Sequence, residues 1–375
     1  MDTCTSEFVR LADQVGGINC RDSGLVSLRS PLSLHAGSMA VIELLLVVGA
    51  VAGLVHAIRW RRSHGDGANL VVWCSGVVAL LLIEPIVYFP QWFGLEDRVG
   101  LTFIHNQFSV QFLFNRLPLY IVAMYPAFTY LAFVLVRRAG IVERCRPAVS
   151  AAAVAFTFFV FFEVIDQLGP QLQWWIWNYN VPTGEPRLGA VPYSSLAGFS
   201  FAIPFGLAFF AIVLSRRSHR VGRNVMLASL ATWPMLTLLG SVPTAVLGFA
   251  GVSAGAARTG MTWLLFVGSG AVTLYAFRQA SRRSEADEVL PDRVDRFVLV
   301  SAVAYLVVVA GLWIYAFPER LDAVDGLTHD GGVIGSLPFA LLCFVACVGL
   351  VVAEEVFAPR RHGIAPSRVV AEYQT

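Results

Sequence analysis

Apolar residues collect in nine windows of about 20 residues, each long enough to cross a hydrocarbon core of about 30 Å as a helix. The windows run approximately over 38–58, 69–89, 118–136, 147–166, 194–215, 225–249, 259–277, 297–317 and 334–357, separated by short polar segments. Gly, Ser and Pro interrupt several of them, which membrane helices tolerate. The pattern predicts an all-α, polytopic helical membrane protein with about nine transmembrane helices. It divides the chain into a polar N-terminal tail (1–37), a membrane domain (38–357) and a C-terminal tail (358–375). No internal repeat is evident, which weakens an inverted-repeat transporter reading.

Composition agrees with the windows. Hydrophobic residues make up 57% of the 375 positions and charged residues only 14%, against about 25% charged in soluble domains. The mean hydropathy of +0.67 exceeds what one soluble core could bury. All 27 basic residues are Arg, so Schiff-base, phosphate-loop and retinal chemistry, which need Lys, are excluded. The net charge of +2 gives no reason to expect nucleic acid as a partner.

Arg also orients the chain, because it concentrates in cytoplasmic loops. Nineteen of the 27 Arg follow the odd-numbered windows, including Arg59, Arg137, Arg216, Arg278 and Arg360. This alternation predicts the N-terminus outside and the C-terminus in the cytoplasm, in a cell membrane such as the bacterial plasma membrane. The tail Met1–Ala36 lacks the basic start and apolar run of a secretory signal and reads as an exported segment. Cys4 and Cys20 lie in it, where an oxidising compartment could join them, or leave two unpaired thiols.

Ionisable groups inside lipid are costly and mark candidate functional sites. Glu43, Glu84, Glu163 and Asp166 fall in three windows, about 5–8 Å below the outer boundary at about 1.5 Å rise per residue. Four carboxyls are thus expected at one depth. Glu163 and Asp166, three apart, share a helix face, and like charges so close resist joint ionisation, which makes them a candidate acid–base couple. Pairing with Arg116, or capping the helix end through water, is the structural alternative. Glu354 and Glu355 end the last window on the inner side and read as a charge cluster with Arg360 and Arg361.

The outer loops are aromatic and amide-rich: Thr102–Phe108, Phe112–Arg116 and Gln171–Asn180. An aromatic belt at the headgroups is the plain reading. The sharper one is a substrate-binding wall over the acid layer, with Trp175, Trp177 and Tyr179 shielding a cation, Asn178 beside them, and His105, Asn106, Asn115 and Arg116 forming a polar rim. The seven His have no di-iron or zinc spacing, and Asp-rich prenyl-transfer motifs and phosphate loops are absent. No metal and no cofactor is implied, which leaves acid–base chemistry on an apolar substrate.

Residues 160–200 carry a local likeness. Glu163, then Trp175-Ile176-Trp177-Asn178-Tyr179, then Leu188-Gly189-Ala190-Val191-Pro192 and Ser195-Leu196-Ala197-Gly198-Phe199 resemble the integral-membrane carotenoid hydratases. The resemblance implies cofactor-free addition of water to a terminal double bond of an acyclic carotenoid, with Glu163 as a possible acid. Membrane-bound terpene and lycopene cyclases are similar in chemistry. The chain departs from the pattern in having Asp166-Gln167-Leu168-Gly169-Pro170 where a Thr-Gly and glycine-rich portion is expected, and in its number of spans. The leading expectation is a lyase- or isomerase-type hydratase or cyclase acting on an isoprenoid or other membrane lipid. The alternatives are a proton-coupled transporter or exporter using the same acids as relay groups, and a non-catalytic membrane partner protein.

Overall fold

The computed structural model describes residues 3–17, 24–284 and 296–357. It opens with a short helix, α1 (Ser6–Ala12), followed among the described residues by nine helices long and apolar enough to cross a membrane. These are α2 (Gly37–His64), α3 (Ala68–Tyr88), α4 (Leu119–Arg138), α5 (Pro147–Asp166), α6 (Tyr193–Arg217), α7 (Val221–Phe249), α8 (Ala254–Ser284), α9 (Phe297–Leu321) and α10 (Leu337–Phe357). All nine expected windows appear, in the expected order. By length and composition the chain is a multi-pass helical membrane protein.

The helices start and stop where local chemistry requires. α2 ends on Gly65 at φ +69°, a left-handed cap that glycine adopts without strain. Pro147 opens α5, where its missing N–H costs no hydrogen bond. Burial then sorts the bundle into core and periphery. The apolar windows of α4, α5 and α6 are 83%, 78% and 72% buried, whereas the other six reach at most 44%. α4 packs against α2, α3 and α5, and α5 also carries α6, α8 and α10. A Cβ on Gly76 of α3 would lie 3.2 Å from the Pro126 nitrogen of α4, so these two helices meet backbone to backbone.

One end of the bundle carries the Arg-rich segments, tied by the Arg137–Glu143 pair at 2.9 Å and the Arg138–Glu354 pair at 2.5 Å. Glu354 therefore binds across to α4, and Arg360 and Arg361, its expected partners, lie outside the described residues. The opposite end departs from the all-helical expectation, because it is capped by short strands. β1 (Val26–Leu28) pairs antiparallel with β3 (Val110–Phe112), which pairs with β4 (Leu117–Pro118). Between β1 and β3 in the chain comes β2 (Phe103–His105), which pairs antiparallel with β5 (Trp175–Trp177) in the register Phe103 to Trp177 and His105 to Trp175. α1 lies over this second ribbon, with Phe8, Leu11 and Val15 clustered on Leu101, Ile104 and Ile176. Cys4 is disulfide-bonded, and Cys20 lies outside the described residues.

Candidate functional site

Strand geometry turns the aromatic loops into a ceiling. Side chains alternate between the two faces of a ribbon. Ile104 and Ile176 face α1, while Phe103, His105, Trp175 and Trp177 face down into the bundle and line a cavity of about 40 Å³. A cavity of that size holds a few water-sized groups. Glu84, one turn from the end of α3, and Asp166, the last residue of α5, enter it from separate helices. Ile121, Met124, Tyr125 and Phe162 form its lower wall. Phe162 also packs with Phe128 and Phe158, ring centroids 5.6–6.2 Å apart, toward the middle of the bundle.

The polar groups of the cavity have few partners. Both Asp166 oxygens, Glu84 Oε2 and His105 Nε2 are buried and make no hydrogen bond to the described residues. Buried polar atoms normally find partners, so such a group of exceptions points to a ligand or reacting site. His105 Nδ1 lies 2.7 Å from the Tyr120 hydroxyl, which fixes the ring, and burial pushes the imidazole pKa down to about 3, so it is neutral at physiological pH. Glu163 stands behind Asp166 on the same face of α5. Its Oε1 accepts a 2.7 Å hydrogen bond from Ser200, and it is not on the cavity wall.

Ser200 reaches Glu163 because α6 widens into a π-helical turn over Gly198–Ala202, which also sets Phe199 on the cavity wall. Such turns frequently occur at functional sites. Phe199 enters the sequence only as part of the likeness to the hydratases, and Ser200, Tyr120 and Tyr125 carry no signal there at all. A π turn has no residue signature, and aromatic residues within an apolar window read as ordinary core.

The remaining expected residues build the frame. Glu43 accepts the backbone N–H groups of Ser109 and Val110 at 3.2 and 3.3 Å, so it anchors β3 to α2 and is not brought to the cavity. Asn106 joins the two ribbon loops by donating to the Gln173 carbonyl. Asn115 accepts from Arg29. Asn178 donates to Glu7 and to the Leu101 carbonyl and accepts from Arg10, which fastens α1. Tyr179 donates to the Ala190 carbonyl under the Arg187 guanidinium.

Arg116 is directed away from the acids. It donates to the Tyr88 and Thr3 carbonyls and stacks on Phe8 and Phe89, with burial lowering its pKa to about 10. Arg258 donates to the Pro182 and Glu185 carbonyls. Neither cation is paired with Glu84, Glu163 or Asp166. No group of three or more His, Cys, Asp and Glu with metal-binding geometry occurs among the described residues.

No curated protein and no solved structure matches the chain. One family model, described as Domain of unknown function (DUF7802), matches residues 25–254. That stretch holds the first six spans, the ribbon and every residue of the cavity wall, and ends at Ala254, the first residue of α8. With well over half of its length matched, the chain belongs to the DUF7802 family.

Proposed function

We propose that this protein is a cofactor-independent acid–base enzyme of the cell membrane, with the ribbon-capped end outside, acting on an isoprenoid or other lipid. The observation that carries the reading is the meeting of Glu84, Asp166 and His105 in one aromatic cavity, where Glu84 Oε2 and both Asp166 oxygens have no hydrogen-bond partner among the described residues. The cavity takes only the reactive end of such a substrate, and the rest lies along the bilayer.

In this reading Asp166 gives its proton to one carbon of an alkene, forming a C–H bond and leaving a cation on the other carbon. The faces of Trp175, Trp177 and Phe103 stabilise that cation. Either water adds and releases its proton to the Glu84 carboxylate, or a neighbouring C–H gives its proton to Glu84. The first is hydration and the second isomerisation or cyclisation. Return of the proton from Glu84 to Asp166 through water closes the cycle. Ser200 fixes Glu163 one turn behind Asp166, and His105 orients water.

We take the packing of Phe128, Phe158 and Phe162 between the cavity and the middle of the bundle as favouring chemistry over transport. The test is lipid and pigment profiling of cells carrying wild type, Asp166→Asn or Glu84→Gln at equal membrane levels. Accumulation of one alkene-bearing lipid and loss of its hydrated or cyclised product in both variants is the expected result. Identical profiles would sink the proposal, and solute uptake into vesicles that depends on Glu84 would replace it with transport.

A further inference from the structure

The acid cavity continues sideways, between α3 and α6. A narrow void walled by Leu80 and Ile83 of α3 and Ile203 of α6 shares Glu84, Tyr125 and Phe199 with it. The void has no room for a water molecule as it stands. Above, the ribbon and α1 cover the cavity, and His105, Trp175 and Trp177 are all buried. Toward the Arg-rich end α3 and α6 pack side by side, and the first half of α7, Val221–Leu236, covers them both. Toward the ribbon this cover is lost. α7 makes its own π-helical turn at Thr237–Ser241, against the π turn of α6, and then packs along α8, with no residue of Thr237–Phe249 buried. Leu81 and Leu82, between the Leu80 and Ile83 of the void, are exposed on this apolar span.

We propose that Phe199 is a gate through which the apolar end of a lipid passes from the bilayer, between α3 and α6, to Glu84 and Asp166. Phe199 is half-buried, belongs to the walls of both voids, and stands on the π turn of α6. Its ring meets Phe103 of the ceiling edge to face, with centroids 6.2 Å apart, so turning it away from Phe103 joins the two voids. The chemistry of the path selects what travels it. Leu80, Ile83 and Ile203 offer a polar solute no side-chain hydrogen bond, and an unpaired polar group there is costly, so the gate passes a hydrocarbon chain and refuses ions and sugars. The inference rests on the proposed function for the nature of the substrate, but the route itself is testable without one.

The experiment is carboxyl labelling of the full chain in membranes, with dicyclohexylcarbodiimide, which partitions into lipid, or a carbodiimide carrying a fixed ammonium charge, which stays in water. A carboxylic acid adds across the carbodiimide C=N bond, its proton going to nitrogen and its oxygen to carbon, and the acyl group then migrates to nitrogen as a stable N-acylurea. Peptide mass spectrometry locates the adduct. The apolar reagent is expected to label Glu84 and Asp166, while the charged one labels the exposed Asp330 and neither of them. Phe199→Ala should speed labelling of the two acids by about tenfold, a barrier lowered by about 1.4 kcal/mol, and Ile203→Phe should slow it by a similar factor. Equal labelling of the acids by the charged reagent, no labelling by the apolar one, or rates unchanged in both variants overturns the inference. If Phe199→Ala does not fold, an unchanged rate in Ile203→Phe overturns it equally. The expected labelling together with an unchanged lipid profile in Asp166→Asn would leave the gate standing and remove the alkene chemistry.

Discussion

The Trp175 indole packs against Gly169, so closely that a Cβ built on Gly169 would sit 2.3 Å from the ring. Trp175 is therefore placed from above by its pairing with His105 and from behind by the loop that ends α5. The contact joins the helix carrying Glu163 and Asp166 to the ceiling of the cavity.

Gly169→Ala is accordingly expected to push Trp175 into the cavity and destabilise the fold by about 1–3 kcal/mol, the usual cost of overpacking. Thermal unfolding in detergent measures the loss. Pairing the change with Trp175→Phe, which removes the outer part of the indole, should restore most of it. A melting temperature unchanged by Gly169→Ala would show that the ribbon is not held there.

Acid should weaken the cap through His105. In the unfolded chain this imidazole takes up a proton near pH 6.5, whereas burial holds it neutral in the folded protein down to about pH 3. Below 6.5 the unfolded state binds a proton that the folded state refuses. Stability from this group is thus intact above pH 6.5 and lost progressively between 6.5 and 3. At about pH 5 the loss is about 2 kcal/mol. His105→Gln removes the dependence, so unfolding curves at about pH 7.5 and pH 5 should differ less in the variant than in wild type.

The spans were readable because lipid imposes a length and an apolar composition that no other element of this chain satisfies. The acids at positions 84, 163 and 166 were readable for the same reason. The ribbon was harder, although the alternation in Phe103-Ile104-His105 and Trp175-Ile176-Trp177 carries it. With one face turned to α1 and the other to the cavity, both strand faces are mostly apolar, and the single polar position, His105, does not reveal the period of two. Depth alone also misplaced Glu43 among the cavity acids. Which way a carboxyl faces depends on the rotation of its helix, and on α2 that rotation aims Glu43 at the N–H groups of Ser109 and Val110.

Glu43→Ala tests that anchoring role. It leaves two largely buried backbone donors without an acceptor, at a cost of about 1–3 kcal/mol each when no water replaces it. Hydrogen exchange at Ser109 and Val110 should accelerate, while exchange in the middle of α5 stays slow. Glu43→Gln, which keeps one carbonyl acceptor, should fall between the two. Equal protection in wild type and Glu43→Ala would remove Glu43 from the frame.

Ser200→Ala separates the π turn from simple packing. It deletes the hydroxyl that donates to Glu163 Oε1 and leaves that buried oxygen without this donor, an expected loss of about 1–3 kcal/mol. Replacing both partners, Ser200→Ala with Glu163→Leu, removes the orphaned oxygen and should recover stability relative to the single Ser200 change. A double-mutant cycle on thermal unfolding gives the coupling. A coupling near zero would mean that the 2.7 Å contact contributes nothing and that the π turn serves Phe199 alone.

The Arg138–Glu354 pair at the Arg-rich end allows a sharper test of how α10 is held to α4. Glu354 is fully buried and Arg138 mostly so, and their nitrogen and oxygen lie 2.5 Å apart. Taking one charge away leaves the other in a low dielectric, which costs about 3–5 kcal/mol, whereas replacing both by apolar residues is often neutral or stabilising. Glu354→Leu alone should therefore lower the melting temperature strongly, and Arg138→Leu with Glu354→Leu should return it close to wild type. Glu355, 3.8 Å from Arg138 and more exposed, can take over part of the lost pairing, so Glu354→Leu is expected to be milder than its combination with Glu355→Leu. Additive losses across Arg138 and Glu354, with no recovery in the double variant, would show that the two side chains are held by their separate surroundings and not by each other.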